Sequence, residues 1–226
     1  MVEVLIELLP FIFGSALAII EIIIILLLLK NQQSGKGKSV LFLLGVTTTR
    51  ILQGIIFGLV LNPGASADNA NGKSPVISML LLVLGILLLN KAFKIIRKEP
   101  DPEDDPPKWI ATIESATTAK AYTLGMQLPL INTKMWVFTL GAISTISYAQ
   151  LALPISVYTY LIFTVLVQTL LILPILFRIL LPKRSIKVLQ ATSTWLVKNN
   201  RTILIVLLLF FGVYFFYRGF SSFLMR

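Results

Sequence analysis

Six long apolar runs separated by short polar stretches dominate the chain, at residues 4–29, 39–61, 75–95, 122–147, 154–177 and 202–222. Each is long enough to cross a bilayer as a helix, which takes about 20 apolar residues. A helix satisfies its own backbone hydrogen bonds in lipid, and apart from closed barrels nothing else does. The pattern therefore predicts an all-α integral membrane protein with six transmembrane helices. The first run does not read as a cleavable signal peptide: Glu3 and Glu7 stand where a basic n-region belongs, and the apolar stretch is too long.

The polar stretches differ in charge. Lys30, Lys36 and Lys38 lie between the first two runs, Arg97, Lys98, Lys108 and Lys120 between the third and fourth, and Arg178, Lys183, Arg184, Lys187, Lys198 and Arg201 between the last two. The 62–74 stretch carries only Lys73, and the 148–153 turn carries no base. The positive-inside rule then places the three basic loops in the cytoplasm and both termini outside, with Arg218 and Arg226 as mild opposition. Net charge over the 226 residues is +10, yet only 13% are charged. Soluble domains carry about a quarter, so an ordinary soluble domain is excluded. The positive balance is a topology signal and a source of anionic-lipid contact, and no nucleic-acid partner is expected.

Two segments outside the runs have their own character. Residues 99–107 hold four prolines and five acids, the composition of an extended, solvated linker. Trp109, Ile110 and Ile113 follow at near-helical spacing and predict an interfacial helix anchored by the indole. A second such helix is expected over 185–199, with Ile186, Leu189, Trp195 and Leu196 toward lipid.

The third and sixth runs echo each other. Gly85, Lys91 and Phe93 match Gly212, Arg218 and Phe220 in spacing, within similar leucine-rich surroundings. Leu9-Pro10-Phe11-Ile12 echoes Leu128-Pro129-Leu130-Ile131 more weakly. Three spans per half make the halves enter from opposite sides, an inverted-topology repeat of the kind transporters use to build a midplane site. The expected organisation is a three-helix repeat over 1–95, a cytoplasmic Pro- and acid-rich linker with its interfacial helix over 96–121, and a second three-helix repeat over 122–226.

Ionisable residues near the centre of a span cost at least about 2.5–3.5 kcal/mol on insertion. Glu21, Arg50 and Lys134 lie there, at comparable depth, with Gln53, Gln127 and Gln168 adding polar atoms and Asn132 beside Lys134. They should converge on one interior, with Glu21 touching at least one of the two bases. Glu21, Arg50, Asn132, Lys134 and Gln168 are thus the candidate substrate and coupling residues. The two bases and one acid sum to +1, which suits an anionic visitor or a proton on Glu21; a structural ion cluster locking the bundle is the alternative. No His and no Cys occur, which removes zinc–thiolate sites, Cys nucleophiles and His-dependent triads. No nucleotide-binding fingerprint appears. An enzyme is not expected, nor a cofactor or a metal site.

Several strings resemble one family. They are Leu9-Pro10 and Gly14, Phe42-Leu43-Leu44-Gly45, Pro107-Lys108-Trp109, Glu114-Ser115, Lys120-Ala121, Gly125, Asn132-Thr133-Lys134, and Trp195-Leu196-Val197-Lys198-Asn199-Asn200 leading to Gly212. Together they are similar to the GAP family of glycopeptidolipid- and sulfolipid-addressing proteins, six-span members of the lysine-exporter (LysE) superfamily. That family usually shows Ser-Pro-x-Pro in span one and Asn-Pro-Lys-Asn in span four. Here the strings read Ala18-Ile19-Ile20-Glu21 and Asn132-Thr133-Lys134-Met135. The helix-breaking prolines are absent from both, and Glu21 stands at a proline position.

The resemblance implies export of lipids or small amphiphiles from a bacterial plasma (inner) membrane. The leading expectation is a secondary transporter of lipids, amphiphiles or small anionic metabolites that works by alternating access, with proton coupling through Glu21. A non-transporting accessory subunit of a lipid biosynthesis or export complex is the rival. A wet cavity reaching the buried charges would favour the first, and a sealed core the second. Membrane lipids and the transported molecule are the expected partners, in a homodimer or a larger lipid-export complex.

Overall fold

The computed structural model describes residues 2–31, 33–60, 75–97, 113 and 115–224. Among these, every regular element is helical: α1 (Val2–Ala16), α2 (Ile19–Lys30), α3 (Gly35–Val60), α4 (Pro75–Arg97), α5 (Thr118–Ile131), α6 (Thr133–Tyr148), α7 (Leu153–Val167), α8 (Thr169–Leu180) and α9 (Pro182–Leu224). Among the described residues, two helices are long and apolar enough to cross a membrane, over Gly35–Leu59 and Ser185–Ser221. Up to four spans result when each of the bent pairs α1–α2 and α7–α8 counts as one.

The main departure from expectation is discontinuity. The runs 4–29, 122–147 and 154–177, read as continuous helices, are each interrupted. α1 and α2 meet at 56°, α7 and α8 at 58°, and α5 gives way to α6 at Asn132. The opposite error occurs at the C-terminal end. The interfacial helix expected over 185–199 is no separate element but the first part of α9, 43 residues long and thus about 65 Å at 1.5 Å per residue. Trp195 is exposed there, while Leu189 packs inward. Of the 96–121 linker, Trp109 and Ile110 lie outside the described residues; Ile113 is buried against the α2 cluster.

The outside of the bundle is apolar. Val2, Ile6, Leu9 and Phe13 line one face of α1, and Val206, Phe210, Val213, Tyr217 and Phe220 one face of α9, all exposed. Such helical-period stripes would be an aggregation hazard in water and are the expected surface in lipid. This is a membrane protein by its helices. α2 differs: Ile23 to Leu29 are buried on every side, the mark of a helix enclosed by others. Phe42 and Val46 of α3, Leu171 and Ile175 of α8 and Leu189 of α9 surround it. A second core centres on Phe11, Phe138, Phe163, Phe211 and Phe215, contributed by α1, α6, α7 and α9.

Without a hydrophobic drive between helices in lipid, close packing at small residues does the holding. Two crossings show it. Gly45 of α3 and Gly125 of α5 bring backbone onto backbone: a Cβ on Gly45 would collide with the Tyr122 carbonyl, and one on Gly125 with the Phe42 carbonyl. Gly85 of α4 and Gly212 of α9, the matched pair of the sequence repeat, face each other. A Cβ on Gly85 would lie 2.5 Å from the Phe216 nitrogen and 2.9 Å from the Gly212 oxygen. Arg201 of α9 closes the end of α4 by donating to the Ile95 carbonyl at 3.0 Å, a cation where the helix dipole is negative.

Candidate functional site

The breaks position the site. Between α1 and α2, Leu17 and Ala18 leave the helix, and Ala18 offers no side-chain cap. The first amides of α2 are therefore free of intrahelical partners. Glu21 sits in that first turn, where the positive end of the helix dipole favours a carboxylate. Between α5 and α6, Asn132 adopts an extended backbone (φ −80, ψ 94). Its side chain makes no cap of α6. It reaches across instead and donates from Nδ2 to Glu21 Oε1 at 3.4 Å. Trp136 Nε1 donates to the Leu130 carbonyl at 2.8 Å, covering one of the acceptors that the end of α5 exposes.

The same two breaks are joined on another side by Arg50 of α3. Its guanidinium is buried and donates to Ser15 Oγ at 3.3 Å and to Met135 Sδ at 2.9 Å. Ser15 lies near the end of α1 and Met135 in the first turn of α6. The Arg50 carbonyl accepts the Tyr160 hydroxyl at 2.6 Å. Arg50 Nε has no partner among the described residues. Neither hydrogen bond of its guanidinium goes to a carboxylate, so Arg50 and Glu21 flank the paired breaks without meeting.

A cavity of about 240 Å³ opens at the Glu21–Asn132 junction. Its polar lining is Glu21, Asn132, Lys91 of α4 and Asn200 of α9; leucines 17, 128, 204 and 208 make its apolar walls. Ile20 and Ile131 belong to the lining and are also exposed on the outside of the bundle. Glu21 is 1% exposed, and its Oε2 finds no hydrogen-bond partner among the described residues. The arrangement can receive a small polar group between an acid, a base and two carboxamides, with an apolar continuation toward the surface.

Of the five residues expected to form the site, Glu21 and Asn132 share this cavity, and Arg50 stands on the other side of the break pair. Gln168 is elsewhere. It occupies the α7–α8 bend and accepts from Thr47 Oγ1 at 2.8 Å, with its own amide on the Thr164 carbonyl. The side chain of Lys134 lies outside the described residues; its backbone is in the first turn of α6. Gln127 faces outward, and Gln53 is buried with neither amide atom bonded among the described residues. Lys91 and Asn200 were missed as site residues. Lys91, near the end of the third apolar run, was marked only by its place in the repeat. Asn200 had been visible only within the resemblance strings.

No curated protein and no solved structure matches the chain. A family model does, across the helices and both breaks. With residues 8–221 matched, the chain belongs to the Sap, sulfolipid-1-addressing protein family.

Proposed function

We propose that this protein is a secondary transporter that moves a lipid or amphiphile across the membrane. In this reading its six apolar runs form two inverted three-helix repeats, and alternating access occurs at the point where α1–α2 and α5–α6 break against each other. The observation that carries the reading is that meeting of breaks: two interrupted helices join at a buried carboxylate beside a polar-lined cavity. Discontinuous helices at a mid-bilayer site are how transporters free backbone groups for a visitor without exposing them to lipid. The facing of Gly85 and Gly212 supports the repeat, since symmetry-related positions meet on a two-fold axis.

The basic loops give the cavity a direction. Lys91 lies near the basic 96–121 stretch and Asn200 within the basic 178–201 stretch, both of which the positive-inside rule assigns to the cytoplasm. The cavity then faces inward, the loading state of an exporter. Its opening at Glu21, with Lys91, Asn132 and Asn200 in the lining, supports transport over a purely accessory role, for which a sealed core would be the natural construction. The bacterial plasma membrane, with both termini outside, belongs to the same proposal. Labelling of Asp104→Cys by an impermeant thiol reagent from inside only is expected, and labelling from outside would reverse the direction.

The deciding experiment is lipid profiling of outer-surface and whole-cell extracts from cells lacking the gene, complemented with the wild type or with Glu21→Gln. Wild type should restore one lipid class to the outside that Glu21→Gln leaves within. Identical profiles in all three strains would sink the transport reading.

A further inference from the structure

We infer that the cavity at the paired breaks is a receptor for a zwitterionic lipid headgroup, its primary ammonium held at Glu21 and its phosphate-type anion at Lys91. The inference rests on the transport reading for its biological use and names the substrate class.

The chemistry of the lining sets the choice. A carboxylate is an acceptor only, and a lysine ammonium a donor only. Glu21 Oε1 already takes the Asn132 amide at 3.4 Å. Oε2 is buried, with no partner among the described residues, on a side chain that lines the cavity. A buried acceptor of this kind is costly unless a donor arrives. That donor must carry N–H or O–H groups; a charged N–H forms the stronger bond. Lys91, on the facing helix, calls for an anion. Among the described residues one acid and one base line the cavity and sum to zero, so the visitor that satisfies both is neutral overall with separated charges. A purely anionic headgroup would set like charge against the free carboxylate oxygen, and a purely cationic one would do so at Lys91. Asn132 and Asn200 can each donate or accept, and so suit the ester and hydroxyl oxygens between the two ends.

Size points the same way. Whole drug-like ligands occupy cavities of about 300–1,000 Å³, and this one is about 240 Å³. It holds a headgroup and not its chains. The leucine walls and the exposed Ile20 and Ile131 lead from it to the lipid-facing surface, where acyl chains would remain in the bilayer. The headgroup would thus enter sideways while its chains never leave lipid.

The test is binding of labelled lysophosphatidylethanolamine to the purified full-length protein in detergent. Lysophosphatidylglycerol, lysophosphatidylcholine and free O-phosphoethanolamine serve as competitors. A charge-assisted hydrogen bond is worth about tenfold or more in affinity. Lysophosphatidylethanolamine should therefore bind about tenfold tighter than the glycerol lipid, which lacks the cation, and than the choline lipid, which lacks N–H. Glu21→Gln should erase that preference and Glu21→Asp retain part of it. Lys91→Gln, on an exposed position that tolerates change, should weaken binding about tenfold while the protein still elutes as a folded species. Equal affinity for all three lyso-lipids, or a preference that survives Glu21→Gln, overturns the assignment. Competition by free O-phosphoethanolamine as strong as by its lyso-lipid would assign the site to a soluble zwitterion and overturn the lipid part. The two readings fail separately. A headgroup preference in a protein whose loss displaces no cellular lipid ends the transport reading alone, whereas lipid displacement without the preference ends this inference alone.

Discussion

Glu21 and Arg50 are equally hidden, each 1% exposed, and they flank the same pair of helix breaks. Around Arg50 the protein is closed. Its guanidinium ties Ser15 to Met135 and its carbonyl holds the Tyr160 hydroxyl, and its side chain does not line the cavity at Glu21. Around Glu21 the protein is open: one oxygen takes a long bond from Asn132, the other takes none among the described residues, and the side chain borders the cavity of about 240 Å³. Burial alone does not mark a working group. Each keeps one buried atom without a partner among the described residues, Arg50 Nε and Glu21 Oε2, so what separates a strut from a receptor is whether the side chain ties neighbouring helices together or borders a cavity.

Five substitutions bear on that contrast. The largest effect is expected at the strut. Arg50→Ala removes a long buried side chain and both its links, and should lower stability by about 3–5 kcal/mol, read as a drop in the thermal unfolding midpoint in detergent. An unchanged midpoint would mean that the breaks do not depend on Arg50. Glu21→Gln should show the reverse split: transport falls by a factor worth about 1.5–3 kcal/mol while the unfolding midpoint hardly moves, because the amide keeps the volume. Parallel losses of activity and stability would make Glu21 a second strut and erase the comparison.

Further from the breaks, Gly85→Ala forces a Cβ against the Phe216 backbone of α9 and should cost about 1–3 kcal/mol. Gly58→Ala meets nothing within 4 Å and should be neutral or gain up to about 1 kcal/mol from helix propensity. The smallest loss belongs to Tyr160→Phe. Losing the hydroxyl bonded to the Arg50 carbonyl should cost about 1 kcal/mol; a loss as large as that of Arg50→Ala would show that the Tyr160 hydroxyl holds the closed side together as much as the guanidinium does.

How much of this could be read in advance varies with the physics. The membrane class followed from apolar runs, because lipid leaves backbone few options. Glu21 and Asn132 could be placed together because isolated polar residues in lipid must find partners. The breaks could not be read from proline: both motif prolines are missing, while Pro10 and Pro174 lie inside α1 and α8 without ending them. A better signal was in view. Glu21 in an otherwise apolar run is an acid in a first turn, which marks a helix start, and Asn132 and Gln168 mark the other interruptions. Arg50 bonds a hydroxyl and a thioether, and neither could be read in advance, since three-dimensional neighbours 35 and 85 residues away leave no local trace. The unbroken α9 was misread for the opposite reason: its polar first half looked like a surface helix, and nothing local told that no turn follows it.

The continuity of α9 has a mechanical consequence. Asn200, Leu204 and Leu208 on the cavity wall and Gly212 at the α4 crossing belong to one uninterrupted rod. From Asn200 to Gly212 is about 18 Å at 1.5 Å per residue. A rigid rod pinned at a close crossing pivots there. Tilting it to widen the cavity must swing Phe216 and Phe220, beyond the pivot, the opposite way, so enlarging one end of the bundle narrows the other by leverage alone.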